Sequence, residues 1–318
     1  MLGPISSPII LAAALLDAVI GDPPIVWRRV PHPVVWVGRM IALTEARLNR
    51  GGSARRRVLG LLALALWLAV GIGSSLGLLA IVPEGAAVAL TLLGGAVLLA
   101  QKSLADHVLA VARGLEVSLA DGRQAVSMIV GRDPEVLDAA AVARAAIESA
   151  AENFSDGFVA PLFWFALLGL PGIVGYKIIN TADSMVGHRT ARYAAFGWAS
   201  ARLDDFVNLL PARLAGAAIT GAAFFLRHDG RQALRAMVRD AGHHRSPNAG
   251  WPEAAMAGAL GLALAGPRRY GAEIVEDGWM NDGGRAAATA SDIRAAVRLM
   301  RGAAVVTVLL AAGLQALV

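Results

Sequence analysis

The sequence predicts an all-α, polytopic integral membrane protein: a helical bundle with broken or re-entrant helices and cytoplasmic helical loops. Three observations lead there. Hydrophobic residues make up 56% of the 318 and charged residues only 17%, and the mean hydropathy of +0.57 is too apolar for a typical soluble domain. Val58 to Val82 runs without a charge, long enough for a hydrocarbon core of about 30 Å. Other apolar runs are interrupted by Gly and Pro and flanked by carboxylates, as in membrane helices broken around a polar site.

In chain order, Ile5 to Ile20 is a first apolar segment, broken late by Asp17. It lacks a basic leader and a small-residue cleavage site, so it reads as an uncleaved membrane segment. GDPPIVWRRVPHPVVWVGRMI follows, and Gly21, Pro23, Pro24, Pro31 and Pro33 prevent a continuous helix there. Trp27 and Trp36 suit headgroup anchoring. Thr44 to Arg57 reads as a basic helix. Val58–Val82 and Ala86–Ala100, joined by Pro83-Glu84-Gly85, read as a helical hairpin.

Lys102 to Ala143 is soluble in character. SLADHVLAVARGLE has apolar residues at helical spacing, Asp121-Gly122 reads as a turn, and Asp133-Pro134 as the cap and first residue of a helix. That helix carries Arg144, Glu148 and Glu152 four apart on one face. Gly157 to Ile179 is apolar but split by GLPG at Gly169 to Gly172, which favours a re-entrant hairpin over a kinked crossing. NTADSMVGHRTA then places Asn180, Ser184 and His188 on one helical face beside Asp183. Arg202 to Arg213 adds Asp204, Asp205 and Asn208, and an apolar segment runs from near Phe206 to Leu226. If both 157–179 and 206–226 cross fully, the Asn180–His188 cluster lies outside; if neither does, all the polar clusters face the cytoplasm. Arg227 to Arg245 is a basic, helix-like stretch, followed by the Ser246–Gly250 loop and a small-residue apolar helix. A Gly- and Asp-rich loop through Gly284, a basic helix to Arg301 and a final apolar run from Ala303 to Val318 complete the chain. No repeat of 20–50 residues is visible, so residues 1–318 read as a single membrane-embedded domain.

The net charge is +5 and there is no cysteine. Disulfides, thiolate nucleophiles and Cys-ligated metals are excluded. The basic residues flank apolar segments, which suits membrane loops and anionic ligands; no nucleic-acid partner is expected. There is no phosphate loop of the G-x-x-x-x-G-K-[ST] type, no G-x-G-x-x-G, and the six His are too scattered for a zinc motif. The acids between Arg144 and Arg213 sit beside apolar segments, where ionisable groups are costly. Oxygen-rich clusters suit Mg²⁺ and a substrate phosphate, and Arg, Lys and the HRSPNAG loop suit phosphate or carboxylate recognition. The residues alone leave three readings open: a membrane enzyme handling a phosphorylated small molecule with Mg²⁺, a transporter whose carboxylates bind protons or cations, and acids that merely pair with Arg at helix ends.

Several strings narrow this. DAVIGDPP with HPVVWVGRMI, SLADHVLAVARGL with VSMIVGRDPEVLD, ARAAIESAAENFSDGFVAPLFW, YKIINTADSMVGHRTARYAAFGWASARLDDFVNLLPARL, and HHRSPNAGWPEAAMAGALG with GPRRYG together resemble the adenosylcobinamide-phosphate synthase family, CobD/CbiB, of cobalamin biosynthesis. The resemblance spans nearly the whole chain. It departs at Gly131–Pro134, where the family has Thr after the Asp, and at His243-His244, where a Lys-His pair is common. It implies a multi-pass protein of the cell (inner) membrane with a cytoplasmic active site. The implied reaction is ATP- and Mg²⁺-dependent amide ligation of adenosylcobyric acid, a corrinoid, with aminopropanol phosphate or a related amino alcohol. The implied partners are these substrates, the lipid bilayer and other late cobalamin-assembly enzymes. The alternative is a membrane corrinoid-binding or transport protein without ligase activity. On the ligase reading Glu148, Glu152, Asp156 and Asp183 hold metal, and Glu148, Glu152, Asp183, Asp204, Asp205 and His32 are catalytic, with Asp22 or His32 as base. Lys177, Arg189 and Arg192 meet ATP or acyl-phosphate oxygens. Asn180, Ser184, Asn208 and Arg213 line the substrate, and His243, Ser246 and Asn248 grip the amino alcohol phosphate.

Overall fold

The computed structural model describes residues 6–131, 133–266, 268–270, 273–275 and 278–316. In chain order the helices are α1 (Ser7–Ile20), α2 (Pro24–Trp27), α3 (Pro33–Leu48), α4 (Ser53–Ile81), α5 (Glu84–Leu98), α6 (Gln101–Val117) and α7 (Leu119–Val126). Then come α8 (Ala139–Phe154), a π-helical turn at Ser155–Val159, α9 (Ala160–Val186), α10 (Trp198–Val207), α11 (Leu209–Phe225), α12 (Gly230–Asp240), α13 (Gly250–Leu260) and α14 (Ala290–Ala316). Two short antiparallel ribbons pair β1 (Leu264–Ala265) with β4 (Trp279–Met280) and β2 (Arg268–Tyr270) with β3 (Glu273–Val275). The all-α class therefore holds. Four stretches, 53–81, 84–117, 139–186 and 290–316, are long and apolar enough to cross a membrane, and the protein is a multi-pass membrane protein.

The chain forms two compact units: Met1–Leu99 with Ala160–Asn208 and Ala311–Val318, and Ala100–Val159 with Leu209–Leu310. In the first, α4, α5, α3 and α10 all pack on α9, and α1 packs on α5. Ile41, Trp67, Ile178, Ala182, Val186 and Phe196 form its core. The expected hairpin of 58–82 and 86–100 is corrected in one respect: the two helices are joined at Val82-Pro83, but α4 packs chiefly on α9 and α5 on α1 and α9 rather than on each other. The expected helix over Thr44–Arg57 is also corrected. α3 ends at Leu48, and Gly51 adopts a φ of +91°, so α4 starts afresh at Ser53.

α9 is not a straight rod. Gly169 has φ +70° and ψ −154°, outside the helical region. A straight helix would separate residues 164 and 172 by about 12 Å along its axis. Here a Cβ on Gly172 would lie 2.3 Å from the Trp164 carbonyl oxygen. Trp164 Nε1 donates to Val207 O at 3.2 Å and Tyr176 Oη donates to Asn208 Oδ1 at 3.0 Å, so both arms reach the same end of α10. The segment folds back at GLPG, as the split apolar run predicts.

In the second unit α13 is almost wholly buried and packs on α12, α11 and α8, while α6 packs on α7 and α8. Two local expectations are corrected here. Asp121-Gly122 lies inside α7, not in a turn; Ser118 Oγ caps that helix by accepting from Asp121 N, and Gly122 is small because Leu115 of α6 presses on it. Asp133 closes a turn by accepting from Glu135 N, and the cap of α8 is Asp138, which accepts from Ala141 N at 2.7 Å. The basic helix to Arg301 and the final apolar run are one continuous α14. The GPRRYG string and Gly131–Pro134 fall partly outside the described residues.

Candidate functional site

The densest group of polar side chains in the first unit stands where α9 ends and α10 runs. Asp204 is buried on α10. Its Oδ2 accepts from Asn208 Nδ2 at 3.0 Å, and Asn208, itself buried, accepts from Tyr176 Oη. The other oxygen, Oδ1, is buried and accepts no hydrogen bond. Asp183 and Asp205 lie within electrostatic range of this carboxylate, and the Asn180 side chain stands near it without completing a hydrogen bond to Oδ1. Asp183 packs against Gly187, where a Cβ would sit 1.9 Å from its Oδ1. Asp205 meets Arg202 at 3.7 Å and the field of Arg189. The fold thus brings Asn180, Asp183, Asp204, Asp205, Asn208 and Arg189 into one neighbourhood. Lys177 is half-buried on α9, and Ser184 is exposed on it.

Arg192 is engaged elsewhere. It grips Glu45 with two parallel bonds, Nε to Oε1 at 3.1 Å and Nη2 to Oε2 at 2.8 Å. Glu45 is a buried acid that the sequence reading did not single out; its i,i+4 relation to Asn49, whose Nδ2 donates to it at 2.7 Å, was the available signal. The Arg192 guanidinium holds the Glu45 carboxyl below the usual carboxylate range, against the opposing effect of burial. A depressed folded value contributes stability in full above the unfolded value of about 4.3, and that contribution is lost as pH falls through the folded value. Thermal unfolding should therefore show wild type more stable than Glu45→Gln at pH 7, with the gap closing under acid; a gap independent of pH would contradict the pairing.

His32 caps α3: Nδ1 accepts from Val34 N at 3.2 Å and Nε2 lies 3.1 Å from Val97 O. Both ring nitrogens thus face backbone groups, one of them at the start of α3. Asp22 stands 3.6 Å from its Nε2.

In the second unit Glu148 is buried and its Oε1 accepts from Ala265 N at 2.9 Å, holding a residue whose φ is +58°. Arg144 donates to Ala286 O rather than pairing with Glu148. Glu152 is exposed and Asp156 half-buried in the π-helical turn. Arg213 lies 4.5 Å over the Trp251 ring and donates to Leu209 O. His243 Nδ1 is 3.2 Å from Trp279 O. Ser246 Oγ accepts from the backbone N–H groups of Asn248 and Ala249, shaping the entry to α13, and Asn248 is buried. Beside them Asp240 anchors a network the sequence did not disclose: Arg239 pairs with it, Asn281 N donates to its Oδ2 at 2.7 Å, and Gln232 donates to Asn281 Oδ1. Burial opposes ionisation of Asp240, but Arg239 and the Asn281 N–H hold its carboxyl below the usual range.

Among the described residues no three His, Asp or Glu side chains form a metal-binding group. Mg²⁺ does not require one, since it is commonly held by one or two carboxylates, waters and substrate phosphates. The bare buried Oδ1 of Asp204, next to Asp183, is compatible with such an ion.

Fold and site together define a multi-pass helical membrane protein with a buried acidic centre on broken helices. The family model described as "CobD/Cbib protein" matches residues 10–300. The chain is 52% identical over 303 residues to cobalamin biosynthesis protein CobD of Rhizobium meliloti (strain 1021), covering 93% of this chain and 92% of that one. It is 53% identical to the CobD protein of Brucella suis biovar 1 (strain 1330) over 90% of each chain, and 52% identical to that of Rhodobacter capsulatus over 84% of each. No solved structure matches. The chain belongs to the CobD/CbiB family, and its role is in cobalamin biosynthesis.

Proposed function

We propose that the protein is an ATP- and Mg²⁺-dependent carbon–nitrogen ligase. It would join a carboxylate of adenosylcobyric acid to the amine of aminopropanol phosphate or a related amino alcohol, giving adenosylcobinamide phosphate. The observation that supports this most is the buried Asp204 oxygen without a hydrogen-bond donor, in a neighbourhood that already holds Asp183 and Asp205. A buried carboxylate left this way is costly unless a cation or proton joins it.

Carboxylate and ammonium do not condense at neutral pH. The carboxylate oxygen would attack the γ-phosphorus of ATP and release ADP; the ammonium would lose a proton to a general base, and its nitrogen would then attack the acyl carbon and release phosphate. Mg²⁺, when bound, would supply neutralisation of phosphoryl charge. Asp183 and Asp204 would hold that ion, while Arg189 and Lys177 meet phosphate oxygens. Tyr176 and Asn208 fix Asp204. Glu148 is committed to Ala265, so the reading assigns it to support of the β1 segment rather than to metal. The apolar packing of α9 would exclude water from the acyl phosphate.

The test is to incubate purified protein with adenosylcobyric acid, aminopropanol phosphate, Mg²⁺ and ATP and follow product mass. An ATP-dependent gain matching the amide is expected. Folded protein that yields no product with phosphorylated or free amino alcohols would replace this reading with corrinoid binding or transport.

A further inference from the structure

We infer that the corner formed by α11, α12 and α14 is a binding site for anionic phospholipid headgroups. α11 ends in an exposed apolar tip, with Phe225 81% exposed. At the same level Leu226 touches α14, since a Cβ on Gly302 would lie 2.7 Å from its Cδ1. Below Gly302 α14 bears Arg298 and Arg301; beyond it, from Ala303 to Ala316, it carries no charge. Two helices thus change from arginine-bearing to apolar at one level, as helices do at a membrane–water interface.

α12 leaves from this level. Its inner face, with Ala233, Ala236 and Met237, is buried, and Gly258 of α13 approaches closely enough that a Cβ there would be 2.5 Å from Gln232 O. The outer face alternates Arg231, Leu234, Arg235 and Val238 at spacings of three and four, all exposed. That pattern suits a helix lying in the interface, aliphatic side chains toward acyl tails and guanidinium groups toward phosphates. The nearby acids are engaged internally: Asp229 caps Gln232 N at 2.8 Å, and Asp240 pairs with Arg239. The guanidinium groups of Arg227, Arg231, Arg235, Arg298 and Arg301 have no hydrogen-bond or carboxylate partner among the described residues.

Arg227 adds an independent sign. It sits at φ +60°, in the position just past α11 where His228 N bonds back to Ala223 O at 2.9 Å. Helix ends of this kind favour glycine. A strained arginine there places a guanidinium at the apolar boundary, where glycine would have relaxed the backbone but supplied no charge.

The test is native mass spectrometry of the full-length, delipidated protein in detergent with added dioleoyl phosphatidylglycerol or dioleoyl phosphatidylcholine. Wild type should retain phosphatidylglycerol preferentially. The combined Arg227→Gln, Arg231→Gln and Arg235→Gln variant should lose that preference by about 100-fold, and the corresponding Lys triple variant should keep much of it. Equal retention of both lipids by wild type would overturn the proposal. So would an undiminished preference in the Gln variant, or displacement of the lipid by millimolar inorganic phosphate, which would mark a free-anion site. If the Gln variant does not fold, the salt dependence of lipid retention by wild type decides: retention must weaken as ammonium acetate is raised.

Discussion

Asp204→Asn is expected to reduce ATP-dependent amide formation by at least about 1000-fold, the scale of losing a principal electrostatic contact to a reacting phosphate, without unfolding the protein. Asparagine has the shape of aspartate, so its side-chain oxygen can still accept from Asn208 Nδ2. What disappears is a buried acid able to carry a negative charge, whose second oxygen has no donor. Removing a group whose ionised form is costly to bury does not weaken the folded state. The variant should therefore unfold at the same or a higher temperature than wild type while losing activity, the trade-off expected when a functional group is held in a destabilising place. Product mass spectrometry and a thermal unfolding scan on one preparation measure both. Activity within tenfold of wild type would remove Asp204 from the reaction. A collapse of stability would make it a structural acid.

The second large effect concerns the fold. Gly172→Ala would place a methyl 2.3 Å from the Trp164 carbonyl oxygen and 2.6 Å from Leu168 Cβ. Neither neighbour can yield easily: one is backbone, and the other is the root of a side chain on the opposing arm. The two arms must part, at a cost of about 3 kcal/mol, the upper range for overpacking. Because Trp164 and Tyr176 bond to adjacent residues, Val207 and Asn208, parting the arms also disturbs the support of Asp204. A lowered unfolding midpoint with reduced activity is expected, measured on size-exclusion-purified protein. Gly73→Ala, inside α4 where a Cβ would meet nothing within 4 Å, should leave the midpoint equal or slightly raised, since alanine favours a helix interior over glycine. Equal stability of the two variants would mean that the fold-back does not depend on glycine at 172.

The spans and the fold-back were legible because hydropathy and the GLPG interruption are one-dimensional signals. The gathering of Asn180, Asp183, Asp204, Asp205 and Asn208 was legible because an acid beside an apolar run demands a reason. Local punctuation was read less well. Asp121-Gly122 resembled a turn, yet Gly122 is small to admit Leu115, a tertiary cause no local pattern carries. Asp133-Pro134 has the form of a helix start, but Asp138 stands directly before the alanine-rich run and takes that role. Arg192 looked available for phosphate because its partner, Glu45, lies 147 residues away in sequence. The capping contact of His32 with Val34 N is likewise invisible in the sequence, where a histidine before Pro33 carries no sign of its partner.

The segment between α9 and α10 is held by backbone as much as by side chains. A Cβ on Gly197 would stand 1.6 Å from Val186 O, and one on Gly60 would stand 1.9 Å from Phe196 O. Arg56 and Asn49 donate to the Arg192 carbonyl. These contacts, with the Tyr176–Asn208–Asp204 relay, set the spacing of the acids through the polypeptide itself. Lateral pressure and bilayer thickness are then not needed to keep Asp183 and Asp204 in register. The acidic centre should survive transfer from a native membrane to micelles of different chain length, which makes this first unit a practical target for solution biochemistry.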